Sequence, residues 1–437
     1  MSANPNNSTG VAIQQVFIEH LNKDVLELEG FRRALIVFRH KDAVVGTAWF
    51  PVVNGKVTAT QLQSMVSKVA WPVWQQIVAE MGKQPIQLPT VTVVVCTRDR
   101  TNDLAVSLPE LAKLADRGRP VLVVDNCPAD DSTARLVAGY PGITYIYEPR
   151  AGLDIARNRG IQESTSEVVA FIDDDAIPDE GWLDALLNHF DDPMVAVVTG
   201  LTLPLELETR AQQWFEITNG FNRGFEQRSF DSTCVSVVGT GQVGAGVNMA
   251  VRRSALGEIG YFDEALDGGT PTLSGGDQEF FYRALAHGYR IIYEPRALVW
   301  HKHRREWKAL RQTIFGYGVG LYAWWSKTLF VGKEFTLLYW ATLWFIQHHL
   351  GNLLRSVLRR PGCAPLDLAW AEMWGAVIGP YRYLRSRRAQ QQSRLAPGVG
   401  DRTGDLILPT ADSETVGSKP PASTVSVHGI QGGVEVP

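Results

Sequence analysis

Residues 167–182, EVVAFIDDDAIPDEGW, set an unbroken apolar run, VVAFI, directly against three consecutive aspartates, Asp173, Asp174 and Asp175. A strand that is apolar at every position, rather than at alternate ones, is buried on both faces, which places it in a largely parallel sheet covered by helices. Runs of the same texture stand at TVTVVVC (90–96), PVLVVDN (120–126), ITYIY (143–147) and MVAVVTG (194–200), with helix-length amphipathic segments between them. The pattern predicts an α/β fold with a mostly parallel, doubly wound, Rossmann-like sheet. Helices are expected to start at Asn102, before DLAVSLPELAKLA, and at Asp179, before EGWLDALLNHF, because short polar side chains accept hydrogen bonds from the free amides of a first turn.

Sheets of this kind bind ligands beyond the carboxyl ends of their strands, so the polar residues there carry the most information. Three crowded carboxylates repel one another, and the arrangement suits a divalent cation or ribose hydroxyls; a solvated acidic turn is the alternative. Asp125-Asn126 closes the second run, and Thr97-Arg98-Asp99-Arg100 closes the first. Each could cap the helix behind it, yet three polar strand ends on one rim form the pattern of a nucleotide site. AGLDIARNRG (151–160) places Arg157 and Asn158 just ahead of the acidic strand, with Arg157 either bridging a local carboxylate or facing a diphosphate. GGDQEFFYR (275–283) opens a helix in which Glu279 complements the helix dipole, while Asp277, after two glycines, projects toward a cleft as a general base. His301 and His303 follow an apolar run; such histidines are often structural, but an imidazole beside three carboxylates is also a metal ligand. GTGQVG (239–244) satisfies GxGxxG after the strand-like CVSVV, but no clear amphipathic helix follows, so a flexible acceptor-site loop is expected instead of a dinucleotide site.

The chain has 437 residues, and 42 basic against 46 acidic residues give a formal charge of −4, which excludes a chain-wide basic footprint for nucleic acid. Cys96, Cys127, Cys234 and Cys363 lie far apart without CxxC spacing, pointing to a reducing cytoplasm, and MSANPNNSTG has neither the basic nor the apolar region of a signal peptide. Residues 1–10 read as disordered, and residues 11–82 as a small α+β accessory unit with a hairpin at Lys41-Asp42. Its helix carries Leu62, Met65, Val66, Val69, Val73 and Ile77 at helical spacing, with Pro72 expected to kink or split it. Residues 326–385 read as helical. FTLLYWATLWFIQHHLGNLL (335–354) has 20 residues without a formal charge, near spanning length, but is interrupted by Gln347, His348, His349 and Asn352. Together with LDLAWAEMWGAVIG, eight tryptophans in 300–385 and eight arginines in 351–394, it suggests a helix pair in the headgroup layer of an anionic leaflet, with a spanning helix or a buried core as alternatives. The tail from residue 386 is rich in Gln, Ser, Gly and Pro and is expected to be disordered.

In this order, the TRDR strand end, Asp125-Asn126, GLDIARNRG, FIDDD, GAGVNMAVRR, GGDQEFFYR, and His301 ahead of YGVG resemble the family 2 glycosyltransferases of GT-A fold, over about residues 90–325. The resemblance implies inverting transfer of a sugar from a nucleoside-diphosphate sugar, UDP-linked by preference, to a hydroxyl of a saccharide or lipid-linked acceptor. The expected setting is cell-surface polysaccharide or glycolipid synthesis, by a cytoplasmic enzyme peripheral to the inner face of the plasma membrane. It further implies Asp125 at the base, Asp173 at the ribose, and Asp175 on a Mn2+ or Mg2+ ion with His301 as a further metal or diphosphate contact. Thr97, Arg98, Arg100, Arg157, Asn158 and Asp174 are expected around the nucleotide sugar, Asp277 as the base, and Gly246, Asn248 and Glu279 toward the acceptor. One departure stands out: the family commonly has Glu-Asp where this chain has Gly276-Asp277, which keeps the base but leaves the acceptor contacts of that Glu without an owner. No second carboxylate presents itself as the nucleophile that a retaining double displacement needs. A sugar nucleotidyltransferase would carry a glycine-rich basic loop where TRDRTNDL stands, and a non-catalytic carbohydrate-binding protein would bind nucleotide without transferring sugar.

Overall fold

The computed structural model describes residues 10–20, 25–81, 87–233 and 240–395. The first unit consists of β1 (Val11–Phe17), β2 (Leu26–Glu27), β3 (Arg33–His40), β4 (Ala43–Pro51), β5 (Lys56–Val57), α1 (Ala59–Gln63) and α2 (Val66–Met81). β3 and β4 form the expected hairpin, turning at Lys41, whose φ of 52° is left-handed, and β1 joins β3 in parallel. The helical stretch is split, but at Ser64 and Met65 rather than at Pro72, which sits inside α2. A reciprocal capping pair, Thr58 with Gln61, makes α1 a short unit of its own that closes before the proline is reached.

The main sheet is built from β6 (Val91–Thr97), α3 (Thr101–Asp116), β7 (Val121–Asn126), α4 (Ser132–Val137), β8 (Ile143–Glu148), α5 (Leu153–Glu163) and β9 (Val168–Asp173). Then follow β10 (Ala176–Pro178), α6 (Trp182–Leu187), β11 (Val195–Pro204), α7 (Arg210–Asn219), β12 (Arg228–Phe230), β13 (Asn248–Arg252), α8 (Leu256–Ile259), α9 (Gly276–Ala286) and β14 (Arg290–His301). The strand order is β10-β14-β11-β13-β9-β6-β7-β8, with β12 on β14. All but β10, β12 and β13 run the same way, so the sheet is mostly parallel as expected. Alternate residues of its apolar strands feed opposite cores: Val93, Val95 and Val123 meet Leu104 and Leu108 of α3, while Val94 and Val124 meet Ile161 of α5. The chain winds outward from β6 through β7 to β8 and then returns to lay β9 on the other side of β6. The winding therefore reverses between β6 and β9, the position at whose strand carboxyl ends open α/β sheets bind their ligands.

Neither expected helix cap is where the sequence suggests. Asn102 lies inside α3, behind Arg100, and α6 opens at Gly181. The Asp179 carboxylate is occupied elsewhere: Arg39 of the first unit holds it at 2.7 Å and the Trp300 indole donates to it at 3.1 Å. That ion pair and the bond from the Val11 amide to the Leu207 carbonyl (2.9 Å) fasten the first unit to the main sheet, whose core takes in Val37 and Val44. The CVSVV run and Gly239 lie outside the described residues; Thr240–Gln242 form a short turn and the strand β13, not a helix, comes next.

α10 (Trp307–Phe330) crosses the expected boundary at 325/326 without a break. α11 (Thr336–Trp344) runs on through a π-helical stretch (Phe345–Leu350) into α12 (Gly351–Val357), and α13 (Leu366–Leu395) extends ten residues beyond the expected start of the tail. Helices α10 and α13 meet backbone to backbone: a side chain at Gly318 would run into the Glu372 carbonyl, and one at Gly375 into that of Phe315. The YGVG segment is thus a packing seam, and the chain up to Ser393 forms one compact unit instead of dividing at 325.

Asn248, expected at the acceptor, is instead a strut of this sheet. Its amide donates to the carbonyls of Leu201 (2.9 Å) and Ala297 (2.8 Å) and accepts from the Trp182 indole (2.8 Å), so it is fully buried and fully partnered. Asn248→Ala strands three buried polar groups at once and is expected to lower the unfolding free energy in a urea titration by about 3 kcal/mol; a loss below about 1 kcal/mol would contradict this role.

Candidate active site

Register brings the acidic strand ends together: Thr97 of β6 lies opposite Asp125 of β7, and Cys96 lies opposite Asp173 of β9. Asp125 is fully buried; one carboxylate oxygen accepts from the Tyr145 hydroxyl at 3.0 Å, and the other has no hydrogen-bond partner among the described residues. Burial raises its pKa. Immediately after the three aspartates the chain enters β10, which pairs antiparallel with the end of β14 so that Ala176 faces His301. A histidine far away in sequence thereby reaches Asp175, its Nε2 standing 3.2 Å from Oδ1. The pair is close but does not have hydrogen-bonding geometry, so Oδ1 is a buried oxygen without a hydrogen bond.

Thr97 and Arg100, both expected at the nucleotide, hold the acidic cluster itself. Thr97 donates to Asp174 at 2.8 Å, and Arg100 forks between Asp174 (2.6 Å) and Asp175. Burial lifts Asp174 to about 7 against the pull of Arg100. For Asp175 burial is outweighed by His301 and Arg100, which hold its pKa well below the usual carboxylate range. Asp173 is raised, by burial and then by the neighbouring Asp175 charge. Arg98 stands half-exposed at the same rim, 3.8 Å from Asp99.

Asp173, Asp175 and His301 each offer one ligand atom, all within 4.8 Å of one another, and the unpartnered Asp175 oxygen is among the groups available there. Two carboxylates and an imidazole fit Mn2+ best, with Mg2+ favouring the oxygens. Behind His301 lies a chain that the sequence does not reveal: its Nδ1 is 3.1 Å from Nδ1 of His303, whose Nε2 is 2.9 Å from Glu216 of α7. With His301 Nε2 free for a cation, its Nδ1–H donates to His303, and His303 Nε2–H donates to Glu216, fixing the ring. Burial raises Glu216 to about 8 and, aided by His301, lowers His303 to about 3.

A second acidic cluster sits at the amino ends of α5 and α9. Arg157 is buried there, one nitrogen bonding both Asp154 and Asp267 at 2.8 Å, so the structure shows it bridging local carboxylates, the alternative to facing a diphosphate. Asn158 is also structural, exchanging two hydrogen bonds with the Phe262 backbone (2.9 and 3.0 Å). Asp277 begins α9, accepting from the amides of Gly246 and Gln278, each at 2.8 Å. Burial, and then the Asp267 charge, raise its pKa.

At Gly276, where the resemblance leads to the expectation of Glu, a Cβ would lie 2.0 Å from an Asp154 oxygen that is buried and has no hydrogen-bond partner among the described residues. At Gly246 a Cβ would press on Arg157 and Asp277, so this glycine lets the loop lie against Asp277. Glu279, expected near the acceptor, is withdrawn from it. Both its oxygens are taken by Arg283 (2.7 and 2.9 Å) and Lys327 (2.8 Å), which overcome burial and hold it at about 2. A polar surface hollow lined by Glu110, Lys113, Asp179 and Asp184 shares no residue with these clusters.

Residues 92–260 match the Glycosyl transferase family 2 profile. This segment is a family 2 glycosyltransferase domain. Over 235 residues the chain is 32% identical to a pre-mycofactocin glycosyltransferase of Mycobacterium tuberculosis, covering 52% of this chain and 46% of that protein. Identity is 26% to glycosyltransferase AglE of Haloferax volcanii (54% of this chain, 74% of that protein) and 27% to the glucosyl-dolichyl phosphate glucuronosyltransferase of the same organism (52% and 75%). The match spans about half the length of the mycobacterial relatives. A mannosyltransferase from Pyrobaculum calidifontis in complex with GDP-Man and Mn2+ superposes with a TM-score of 0.41 at 16% identity, over 77% of this chain and 87% of that one, a likeness too loose to carry an argument. The family 2 segment contains Thr97, Asp125 and Asp173 to Asp175, whereas Asp277 and His301 lie beyond it and reach the rim through α9 and β14.

If Glu216 orients His301 through His303, Glu216→Gln should raise the Mn2+ concentration needed for half-maximal nucleotide binding roughly tenfold without unfolding the protein. An unchanged Mn2+ requirement would remove Glu216 from the site.

Proposed function

We propose that the chain is an inverting glycosyltransferase that moves a sugar from a UDP-sugar to an acceptor hydroxyl. One observation carries this reading: Arg157 and the partly buried Tyr317 are each close enough to both Asp277 and Asp173 to feel their charges, which supports placing the base candidate and the cation candidate at one site. The free buried oxygen of Asp125 accepts a base N–H, which uracil offers, and Asp173 serves the ribose. A divalent cation held by Asp175, Asp173 and His301 would stabilise the departing diphosphate as a Lewis acid. Asp277, with its raised proton affinity, takes the proton of the acceptor hydroxyl as that oxygen attacks the anomeric carbon opposite the diphosphate. The bond from the anomeric carbon to the diphosphate oxygen breaks in the same step, and the configuration inverts.

The acceptor lies outside what the shared domain specifies. Two relatives of similar identity are named for different molecules, pre-mycofactocin and glucosyl-dolichyl phosphate. For this chain we favour a saccharide or lipid-linked acceptor at an anionic membrane surface, in cell-surface polysaccharide or glycolipid synthesis, with the enzyme peripheral on the cytoplasmic side. The support is in the carboxyl-terminal helices. Leu366, Trp370, Trp374, Val377, Tyr381 and Leu384 form an exposed stripe at helical spacing on α13, and Phe335, Tyr339, Ile346, Leu350 and Leu354 are exposed from residue 335 through α12. Arg355, Arg359, Arg360, Arg385 and Arg388 are exposed beside them, which complements acidic headgroups. Among the described residues no helix is long and apolar enough to cross a membrane.

Asp277→Asn should cut turnover roughly 100-fold while leaving UDP affinity nearly unchanged. The wild-type kcat should fall with acidification at a pH above the ordinary carboxylate range, since a base of raised pKa is lost first; a full-rate Asp277→Asn enzyme would reject the assignment. In flotation assays the full chain should rise with anionic vesicles and be released by high salt. Recovery in the soluble fraction under every condition would refute the membrane contact.

A further inference from the structure

Among the described residues a second cluster of metal-ligand type lies away from the cleft, formed by His348 and His349 with Glu372 of α13. Its ligand atoms also lie within 4.8 Å of one another. The two histidines come from the π-helical stretch between α11 and α12, an irregularity in helices that frequently marks functional sites. There the adjacent rings stand with centroids 5.0 Å apart and reach one carboxylate. His348 Nε2 is 3.2 Å from Glu372 Oε1. That spacing serves a direct hydrogen bond, and it also matches two ligands of one tetrahedral ion, which at metal distances near 2.0 to 2.1 Å lie about 3.4 Å apart.

His349 separates the two possibilities. It is 1% exposed, and neither ring nitrogen has a hydrogen-bond partner among the described residues. Aromatic neighbours enclose it, with the rings of Tyr322 at 5.6 Å and Phe345 at 5.7 Å, and they offer its nitrogens nothing in exchange. A buried imidazole with both nitrogens unsatisfied is rare in a folded protein unless something else completes it. Here the completing group has to sit where His348 and Glu372 also converge.

We propose that His348, His349 and Glu372 bind a zinc-class divalent transition-metal ion. Two imidazoles and one carboxylate are the donor set of such an ion, in contrast to the oxygen-rich cleft cluster suited to Mn2+ or Mg2+. The ion ties the π-helical stretch to α13. It thereby fixes the two exposed apolar faces relative to each other, a role that stands whether or not the glycosyl-transfer reading is correct.

The test uses the full-length protein carrying Asp175→Ala, which disables the cleft cluster, stripped with chelator and titrated with Zn2+ alone and with Co2+ alone. The expected result is uptake of roughly one equivalent of Zn2+ and, with Co2+, the visible ligand-field bands of a four-coordinate ion. Adding Glu372→Gln or His349→Phe should weaken the Zn2+ affinity roughly tenfold or more, with far-UV circular dichroism confirming the fold. If His349→Phe does not fold, Glu372→Gln alone decides. No uptake by the Asp175→Ala protein, or an affinity that Glu372→Gln leaves unmoved, overturns the site.

Discussion

Uncompensated negative charge at the switch point of the sheet is the constraint around which the rest of the cleft is arranged. Asp154, Asp173, Asp174, Asp175, Asp267 and Asp277 crowd there, and the basic groups placed among them are Arg100 and Arg157, with Arg304 reaching Asp175 only from the rim at 3.5 Å. Burial first, and the neighbouring carboxylates after it, raise the proton affinities of Asp154, Asp173, Asp174 and Asp277, while Asp175, with His301 and Arg100 against it, is lowered. Under the proposed function, a divalent cation at Asp173 and Asp175 would relieve this crowding at one end, and a proton taken by Asp277 would relieve it at the other.

Backbone topology makes this crowding affordable in structural terms. Asp173 ends β9, Asp174 and Asp175 form the turn into β10, Asp154 and Asp277 stand at the starts of α5 and α9, Asp267 comes from the loop ahead of α9, and the short strand β10 brings His301 to Asp175. Behind them, Asn248 ties β13 to the Leu201 and Ala297 carbonyls of β11 and β14, and α10 packs closely on α13.

The sheet was legible in the sequence because continuous Val and Ile runs leave little choice but burial on both faces, and the rim residues were legible because polar groups follow those runs directly. Arg157, Asn158, Asn248 and Glu279 take partners inside the protein that the sequence does not show. Each has the polarity of a ligand contact, but its partners are Asp267, the Phe262 backbone, the Leu201 and Ala297 carbonyls, and Lys327, which only the folded chain brings near. Glu216 carried no signal at all, being an isolated acid on an amphipathic helix. The boundary expected at 325 falls inside the continuous helix α10, whose docking onto α13 depends on the absence of side chains at Gly318 and Gly375.

The most direct test of the shared cleft is calorimetric titration of UDP into the metal-free protein, with and without Mn2+. The account predicts tight binding with Mn2+, binding weakened at least roughly tenfold in chelator, and the same weakening in Asp175→Ala even at saturating Mn2+. Equal UDP affinity in chelator and in Mn2+, or an Asp175→Ala protein that still shows the full Mn2+ effect, would contradict it.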